Sequence, residues 1–300
     1  MRRIVIIAAA LMTLVGASTA SAQSANTYSG TYSQSEANPG SSSQHVGLSF
    51  GSTLTAASTI QGSGTQPITD LKLTLTKVNF PYYTHFPVCS ANTIKANGTD
   101  AVCPAGSQIG SAALNGNVEQ WVDSAYARQC NPNLDIFNGG VRKVVYYMTL
   151  PPRHTCDGMR SGSVPPWTGS VHQSGSNTII DIPFPAALST SVGGGLTYSL
   201  GQLNTSFSQD IIKAHISQTV LKPVKVKKKV KVKDKKTHKT KTETKTVTEH
   251  KRVKETVFVP VPFFQTVGCA ANKTRPWTQT VTDQTGGAPA VTTFGGAAPC

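Results

Sequence analysis

A lysine-rich stretch from Lys222 to Glu255 holds the residues whose type and spacing most clearly suggest a chemical task. It contains 15 basic and four acidic residues, so its net charge is +11. Lysine occupies every odd position from Lys225 to Lys235. Closely spaced ammonium groups bind polyanions by releasing counterions, with strong salt dependence and little sequence preference. The residues that we expect to make these contacts are Lys225, Lys227, Lys229, Lys231, Lys233, Lys235, Lys239, Lys241, Lys245, Lys251 and Arg252.

The same lysines have a plainer interpretation as charges that keep an exposed strand edge from pairing with other chains. That interpretation explains some of the lysines, but it does not require a run of this length. Aromatic residues, on which the bases of single-stranded nucleic acids stack, are absent between Lys222 and Thr256. We therefore expect no specific nucleic-acid partner, and an anionic cell-wall polymer or polysaccharide as the ligand. The alternative is that the lysine-rich stretch only provides solubility or acts as a spacer.

The rest of the chain is almost neutral. The whole sequence has 300 residues and a formal net charge of +14. Outside the lysine-rich stretch and the two arginines at positions 2 and 3, 11 basic residues face 10 acidic ones. Any electrostatic function therefore belongs to one segment, and a uniformly basic protein is excluded.

The first 22 residues have the three parts of a secretory signal peptide. Two arginines follow Met1, an apolar run extends from Ile4 to Val15, and Ala20-Ser21-Ala22 provides a cleavage site. The apolar run is 12 residues long, whereas a membrane-spanning helix needs about 20. We expect cleavage after Ala22, no transmembrane segment in the mature chain, and a secreted, extracellular protein that can associate with the cell surface.

Six cysteines lie beyond the expected cleavage site, and an even number in an exported chain indicates disulfides. Six cysteines allow 15 pairings. We expect neighbours in sequence to pair, and no metal site, because the chain has no Cys-x-x-Cys and no paired-histidine spacing. The expected pairs are Cys89–Cys103, Cys130–Cys156 and Cys269–Cys300.

Motifs for catalysis are missing. The chain has no Gly-x-Ser-x-Gly elbow, no zinc-binding His-Glu-x-x-His and no nucleotide-binding fingerprint. We therefore expect a non-enzymatic protein without a cofactor. The alternative is a secreted carbohydrate-active hydrolase that the basic arm holds near the cell wall. Its carboxylates would come from the acidic cluster Glu119, Asp123 and Asp135, although a solvated loop explains these residues better.

Short apolar alternations separated by Gly, Pro, Asn and Ser predict an all-β fold. In the stretch from Leu71 to Val78 leucines alternate with polar residues, and no stripe of helical period persists for three turns. Single helical turns are expected at 92–96 and 107–114. Val and Thr between the lysines indicate a long β-hairpin, with arms at 223–233 and 239–259 and a turn at 234–238.

The predicted architecture is a disulfide-stapled β-sandwich with a long Lys-rich β-hairpin insert. We divide the chain into a signal peptide at 1–22, a sandwich body at 23–221, the basic insert at 222–255, and C-terminal strands at 256–300 that complete the body. Many short strands punctuated by turns are typical of such a sandwich.

Two segments carry a resemblance. Phe86-Pro87-Val88-Cys89 is followed by a run from Cys103-Pro104 to Ile109-Gly110, and the chain ends in a Thr-rich segment from Cys269 to Cys300. Together they resemble a group of exported actinobacterial proteins of unknown function, with an FPxC…CPxxSxIG segment and a C-terminal Cys-to-Cys hairpin. The resemblance implies a secreted β protein in which Cys89 and Cys103 face each other, and it implies no activity.

Overall fold

The chain is mainly β-structure in the parts that the computed structural model describes. These parts are residues 24–41, 46–60, 65–120, 123–150, 164–189, 196–208, 211–233, 240–285 and 288–300. The predicted all-β fold class is therefore confirmed. The strands are β1 Asn26–Glu36, β2 Val46–Ser58, β3 Ile68–Thr76, β4 Val78–Asn79, β5 Gln108–Gln120, β6 Asp123–Cys130, β7 Asn133–Asn138, β8 Lys143–Thr149, β9 Trp167–Ser174, β10 Asn177–Pro183, β11 Leu196–Phe207, β12 Ile211–Lys233, β13 Thr240–Pro262, β14 Gln265–Thr266, β15 Thr274–Thr285 and β16 Ala288–Pro299.

Fourteen strands form one antiparallel sheet. Its order is β16-β15-β3-β10-β9-β8-β7-β5-β11-β2-β14-β4, and β1 and β6 add to β2 and β5. The sheet curls back on itself. Strand β1 pairs with β2 near one end of this order, and it lies against β15 and β16 at the other end. Tyr32 stacks on Trp277 with ring centroids 6.0 Å apart, and Gln34 Nε2 donates to the Pro299 carbonyl at 2.8 Å. The result is sandwich-like, with two parts of the sheet facing each other.

The core lies inside this curl and follows from strand alternation. Leu71, Leu73 and Leu75 project from one face of β3 and are all buried, as the period of two requires. Phe50 and Phe207 stack at 4.8 Å between ring centroids, and both lie within 5.5 Å of Phe264. Apolar residues at alternate positions therefore supply the main core, and a smaller cluster of Cys89, Ile94, Phe137, Val145 and Tyr147 lies beside the short helix Ala91–Asn97.

The long hairpin is a separate two-stranded sheet of β12 and β13. Its register runs without a break from Ile211 opposite Pro262 to Lys233 opposite Thr240. Both strands are longer than the expected arms, because the alternation of the lysine-rich stretch continues into apolar strands on either side. The predicted turn at 234–238 lies outside the described residues, as does the signal peptide.

Two of the three predicted disulfides are confirmed. Cys89 bonds to Cys103 and Cys269 bonds to Cys300, with Cα–Cα distances of 5.2 Å and 6.3 Å. The second bond closes the base of the C-terminal hairpin of β15 and β16, whose strands pair from Thr274 opposite Pro299 to Thr285 opposite Ala288. The pairing of Cys130 stays a prediction, because Cys156 lies outside the described residues.

Of the two expected helical turns, one is right and one is wrong. Helix α1 spans Ala91–Asn97, and its N-terminus is capped by Ser90, whose Oγ accepts from the Thr93 N–H at 3.0 Å. The stretch at 107–114 belongs instead to β5, which pairs with both β7 and β11. A second short helix, α2, spans Ala186–Ser189. No helix in the described ranges is long and apolar enough to cross a membrane.

Candidate polyanion-binding surface

The base of the long hairpin decides which way its side chains face. Ala214 and Val261 are buried, while Ile212, Ile216 and Val259 pack against the core of the body. Even positions of β12 and odd positions of β13 therefore share the face that contacts the body. A slip of one residue would turn every side chain over, so burial at the base fixes the orientation of the whole ribbon.

The opposite face carries an ordered row of lysines and threonines. Along its distal part Lys225 lies opposite Thr248, and three more pairs follow in the same register. We call this side the lysine–threonine face. The other three pairs are Lys227 with Thr246, Lys229 with Thr244, and Lys231 with Thr242.

The geometry of this face suits a linear polyanion. Alternate residues of a strand lie about 6.6–6.8 Å apart, so four ammonium groups from Lys225 to Lys231 line up over about 20 Å. Directly opposed residues have Cβ atoms about 4.5–5.5 Å apart, which places a threonine hydroxyl beside each lysine. Such a hydroxyl can donate a hydrogen bond to an oxyanion that a lysine attracts.

Basic residues extend the lysine–threonine face towards the body. Arg252 lies opposite Leu221, and Lys254 lies opposite Thr219. Nearer the base, His215 and Phe258 place their ring centroids 4.7 Å apart on the same side, and Phe258 is 57% exposed. Among the hairpin residues whose side chains the structure describes, no acidic residue lies on this face.

The other side of the ribbon, which we call the valine face, holds the acidic residues. It carries Val220, Val224, Val226, Val230, Val247 and Val253 together with Lys222, Lys228, Lys245 and Lys251.

Two diagonal ion pairs join the strands on the valine face. Lys222 Nζ lies 2.5 Å from Glu255 Oε1, and Lys228 contacts Glu249. The hydrogen bond and charge of Lys228 hold the pKa of Glu249 below its ordinary value. These glutamates therefore neutralise lysines of the valine face, and among the residues whose side chains are described none forms an ion pair with Lys225, Lys227, Lys229 or Lys231.

The structure divides the predicted contact residues between the two faces. Lys225, Lys227, Lys229, Lys231 and Arg252 share the lysine–threonine face, whereas Lys245 and Lys251 lie on the valine face. The sequence-based prediction missed two contributors to the first face, namely Lys254 and the threonine row. The sequence alone could not place them on this face, because the β13 residues that share it with the lysines of β12 depend on the register of the hairpin.

Some predicted contact residues are only partly described. Lys233 and Lys241 are placed in their strands, opposite Thr240 and Val232. Their side chains lie outside the described part of the structure. Lys235 and Lys239 lie outside it altogether, so their role stays a prediction.

A pair of carboxylates on neighbouring strands was not anticipated from the sequence. Lys72 Nζ lies 3.2 Å from Asp70 and 3.9 Å from Asp181, so the two carboxylates share one ammonium group. Burial first, and then the neighbouring Asp181, raise the pKa of Asp70 from 3.8 to about 6. Glycosidase carboxylates work with open space between them for substrate or water, whereas Asp70 and Asp181 share one lysine, which indicates a structural role.

The raised pKa of Asp70 makes a testable contribution to stability. Between pH 3.8 and 6 the folded chain binds a proton that the unfolded chain has lost, so this group's contribution to the free energy of unfolding falls as pH rises. We expect the Tm of Asp70→Asn, relative to wild type, to increase from pH 4.5 to pH 7. Thermal unfolding followed by circular dichroism measures this. Glu249→Gln, a control with a lowered pKa, should show no such increase, and an equal Tm difference for Asp70→Asn at both pH values would refute the assignment.

Among the acidic residues considered for a hydrolase, Asp135 is described and makes structural contacts. Asp135 accepts a hydrogen bond from Gln108 Nε2 at 2.8 Å, and its pKa is raised by burial and by Asp100. The side chains of Glu119 and Asp123 lie outside the described part. Tyr146 is buried and stacks on the partly buried Trp167 with ring centroids 5.6 Å apart, so this aromatic pair packs with the core.

One group of potential metal ligands occurs within the described ranges. Glu36, Cys269 and Cys300 have ligand atoms within 4.8 Å of one another. The two sulfurs are joined in a disulfide, and Glu36 forms an ion pair with Arg275 at 2.9 Å. These atoms are therefore already engaged in structural bonds.

Comparison of the chain with models of protein families, with curated proteins and with solved structures finds no match. The function must therefore be argued from the residues and their geometry.

Proposed function

We propose that this protein is a secreted, non-enzymatic β protein that binds anionic cell-envelope polymers through the lysine–threonine face of its long hairpin. The observation that carries this proposal is the register of β12 and β13, which gathers Lys225, Lys227, Lys229 and Lys231 on one face opposite a row of threonines. The body supplies a disulfide-bonded support from which the ribbon extends.

Charge segregation supports binding over general solubility. If the lysines only kept a strand edge soluble, acidic and basic side chains would not need to be separated between the two faces of the hairpin. Here both described glutamates, Glu249 and Glu255, bind lysines of the valine face. A polymer that approaches the opposite face therefore meets cations without competing acidic side chains.

The shape of the surface favours a flexible, linear polyanion over a specific nucleic-acid sequence. A straight row of ammonium groups recognises charge along a chain, and it cannot read base edges. The threonine hydroxyls add hydrogen bonds that suit sulfate, phosphate or carboxylate oxygens. We therefore infer an anionic wall polymer or acidic polysaccharide as the ligand class.

Shortening the hairpin tests the proposal. Leu221 lies opposite Arg252, so replacing residues 222–251 with Asn-Gly should close a tight hairpin turn at that level. We expect the shortened protein to lose most of its retention on heparin and on cell-wall preparations, and the retention of wild type to fall steeply with salt. Mass spectrometry of the Cys89–Cys103 and Cys269–Cys300 bonds checks that the body is intact. Binding that survives the shortening, or that is insensitive to salt, would contradict the proposal.

A further inference from the structure

A second candidate site lies on the body, away from the lysine–threonine face. It is a cavity of about 410 Å³ between the β4 segment, the β7–β8 loop and the β9–β10 turn. This volume is in the range of small-molecule sites. Phe80, Pro81 and Tyr83 form an apolar wall, and Arg142 stands among the lining residues.

Two polar groups of this cavity are not used by the protein itself. Within the described ranges, Arg142 has no ion pair and its guanidinium has no hydrogen bond. The buried Oδ1 of Asn79 likewise has no hydrogen-bond partner there. By contrast, Gln173 is bonded within the protein, since its Nε2 donates to the Val78 carbonyl at 3.1 Å.

The backbone holds Arg142 in an unusual conformation beside the cavity. Its φ is 56°, in the left-handed region that disfavours residues with a side chain. Its carbonyl accepts from the Val171 N–H at 3.0 Å, so the loop is anchored to β9. Glycine would serve this turn better, and an arginine in such a place points to a use for its side chain.

Lys77 is a second basic residue with a left-handed backbone, and its backbone is bonded to residues of the same cavity. Lys77 also has a left-handed φ, of 59°. Its N–H donates to the Ser176 carbonyl at 2.8 Å, and its carbonyl accepts from the Val267 N–H at 3.0 Å. Ser176 and Val267 both line the cavity. No acidic residue lines the cavity in the described part of the chain, so its surroundings favour an anion.

We propose that this cavity binds a small carboxylate with an apolar body. The carboxylate pairs with the Arg142 guanidinium, which is planar and suits bidentate contact with two oxygens. The apolar body packs against Phe80, Pro81 and Tyr83, whose rings at positions 80 and 83 lie 5.6 Å apart.

Calorimetric titration of the disulfide-bonded protein with 3-phenylpropionate tests this site. We expect saturable binding, and binding weaker by about tenfold or more for the neutral amide, 3-phenylpropanamide, because a charge-assisted hydrogen bond is lost. Arg142→Gln should weaken 3-phenylpropionate binding to a similar extent. Lys143→Gln is the matched control, since Lys143 is an exposed neighbouring cation that does not line the cavity.

The variant Arg142→Gly distinguishes loss of ligand binding from loss of folding. Glycine relieves the left-handed backbone, so we expect a Tm at or above that of wild type together with lost binding. The proposal is overturned if 3-phenylpropionate does not bind wild type, if the amide binds equally well, or if Lys143→Gln weakens binding as much as Arg142→Gln. Because the hairpin takes no part, loss of heparin binding would leave this result unaffected.

Discussion

Replacing Lys225, Lys227, Lys229 and Lys231 together with glutamine is expected to abolish most of the polyanion binding of this protein. A lysine near an anionic surface contributes about 1 kcal/mol, so four of them account for an affinity change on the order of 10³-fold at low salt. Each lost contact also removes one released counterion. The slope of log K against log salt concentration should therefore become shallower by about 3.

The hairpin offers a control with the same change in net charge. Lys222, Lys228, Lys245 and Lys251 lie on the valine face, and their replacement with glutamine also removes four positive charges. We expect this variant to keep most of its affinity for heparin in a salt titration by calorimetry or retention. Equal losses in the two variants would show that net charge alone matters and would refute a face-specific site.

The second large effect concerns the stability of the body. Arg275 is completely buried, and its guanidinium pairs with Glu36 at 2.9 Å and donates to the Gly268 carbonyl at 3.3 Å. Removing one partner of a buried ion pair leaves a charge without compensation and costs about 3–5 kcal/mol. We expect Glu36→Gln to lower the free energy of unfolding by that amount, measured by urea denaturation with the disulfides intact.

An exposed ion pair supplies the comparison. Lys222 and Glu255 lie 2.5 Å apart, but their side chains are 50% and 38% exposed. Pairs of this kind contribute about 0–1 kcal/mol, so Glu255→Gln should change the stability little. If Glu36→Gln were as mild as Glu255→Gln, the buried pair would not be the stabilising link between β1 and β15 that its geometry indicates.

The sequence predicted the fold class because its signals are local. The alternation of Leu71, Leu73 and Leu75 with polar residues identifies a strand without any knowledge of its neighbours, and β3 is found there. The stretch at 107–114 was misjudged because small residues such as Ala112 and Ala113 have weak β-propensity. Pairing with β7 and β11 on both sides makes this stretch a strand. Such long-range pairing cannot be predicted from a few consecutive residues.

The candidate surface was only half predictable for the same reason. The odd-position lysines of β12 were visible as a row in the sequence, but their partners on β13 depended on the register. That register is set at the base, where Ala214 and Val261 are buried. Similarly, the cavity beside Arg142 joins segments that are far apart in the chain. The left-handed backbone conformation of Arg142 cannot be predicted from the sequence, because glycine is the residue that ordinarily adopts it.

The central claim is that one face of the hairpin, rather than its overall charge, binds polyanions. Acetylation of lysines, quantified by mass spectrometry with and without heparin, tests this most directly in the unmodified protein. We predict that heparin protects Lys225, Lys227, Lys229 and Lys231, while the reactivity of Lys245 and Lys251 on the valine face stays the same. Equal protection of lysines on both faces, or protection of none, would contradict the account.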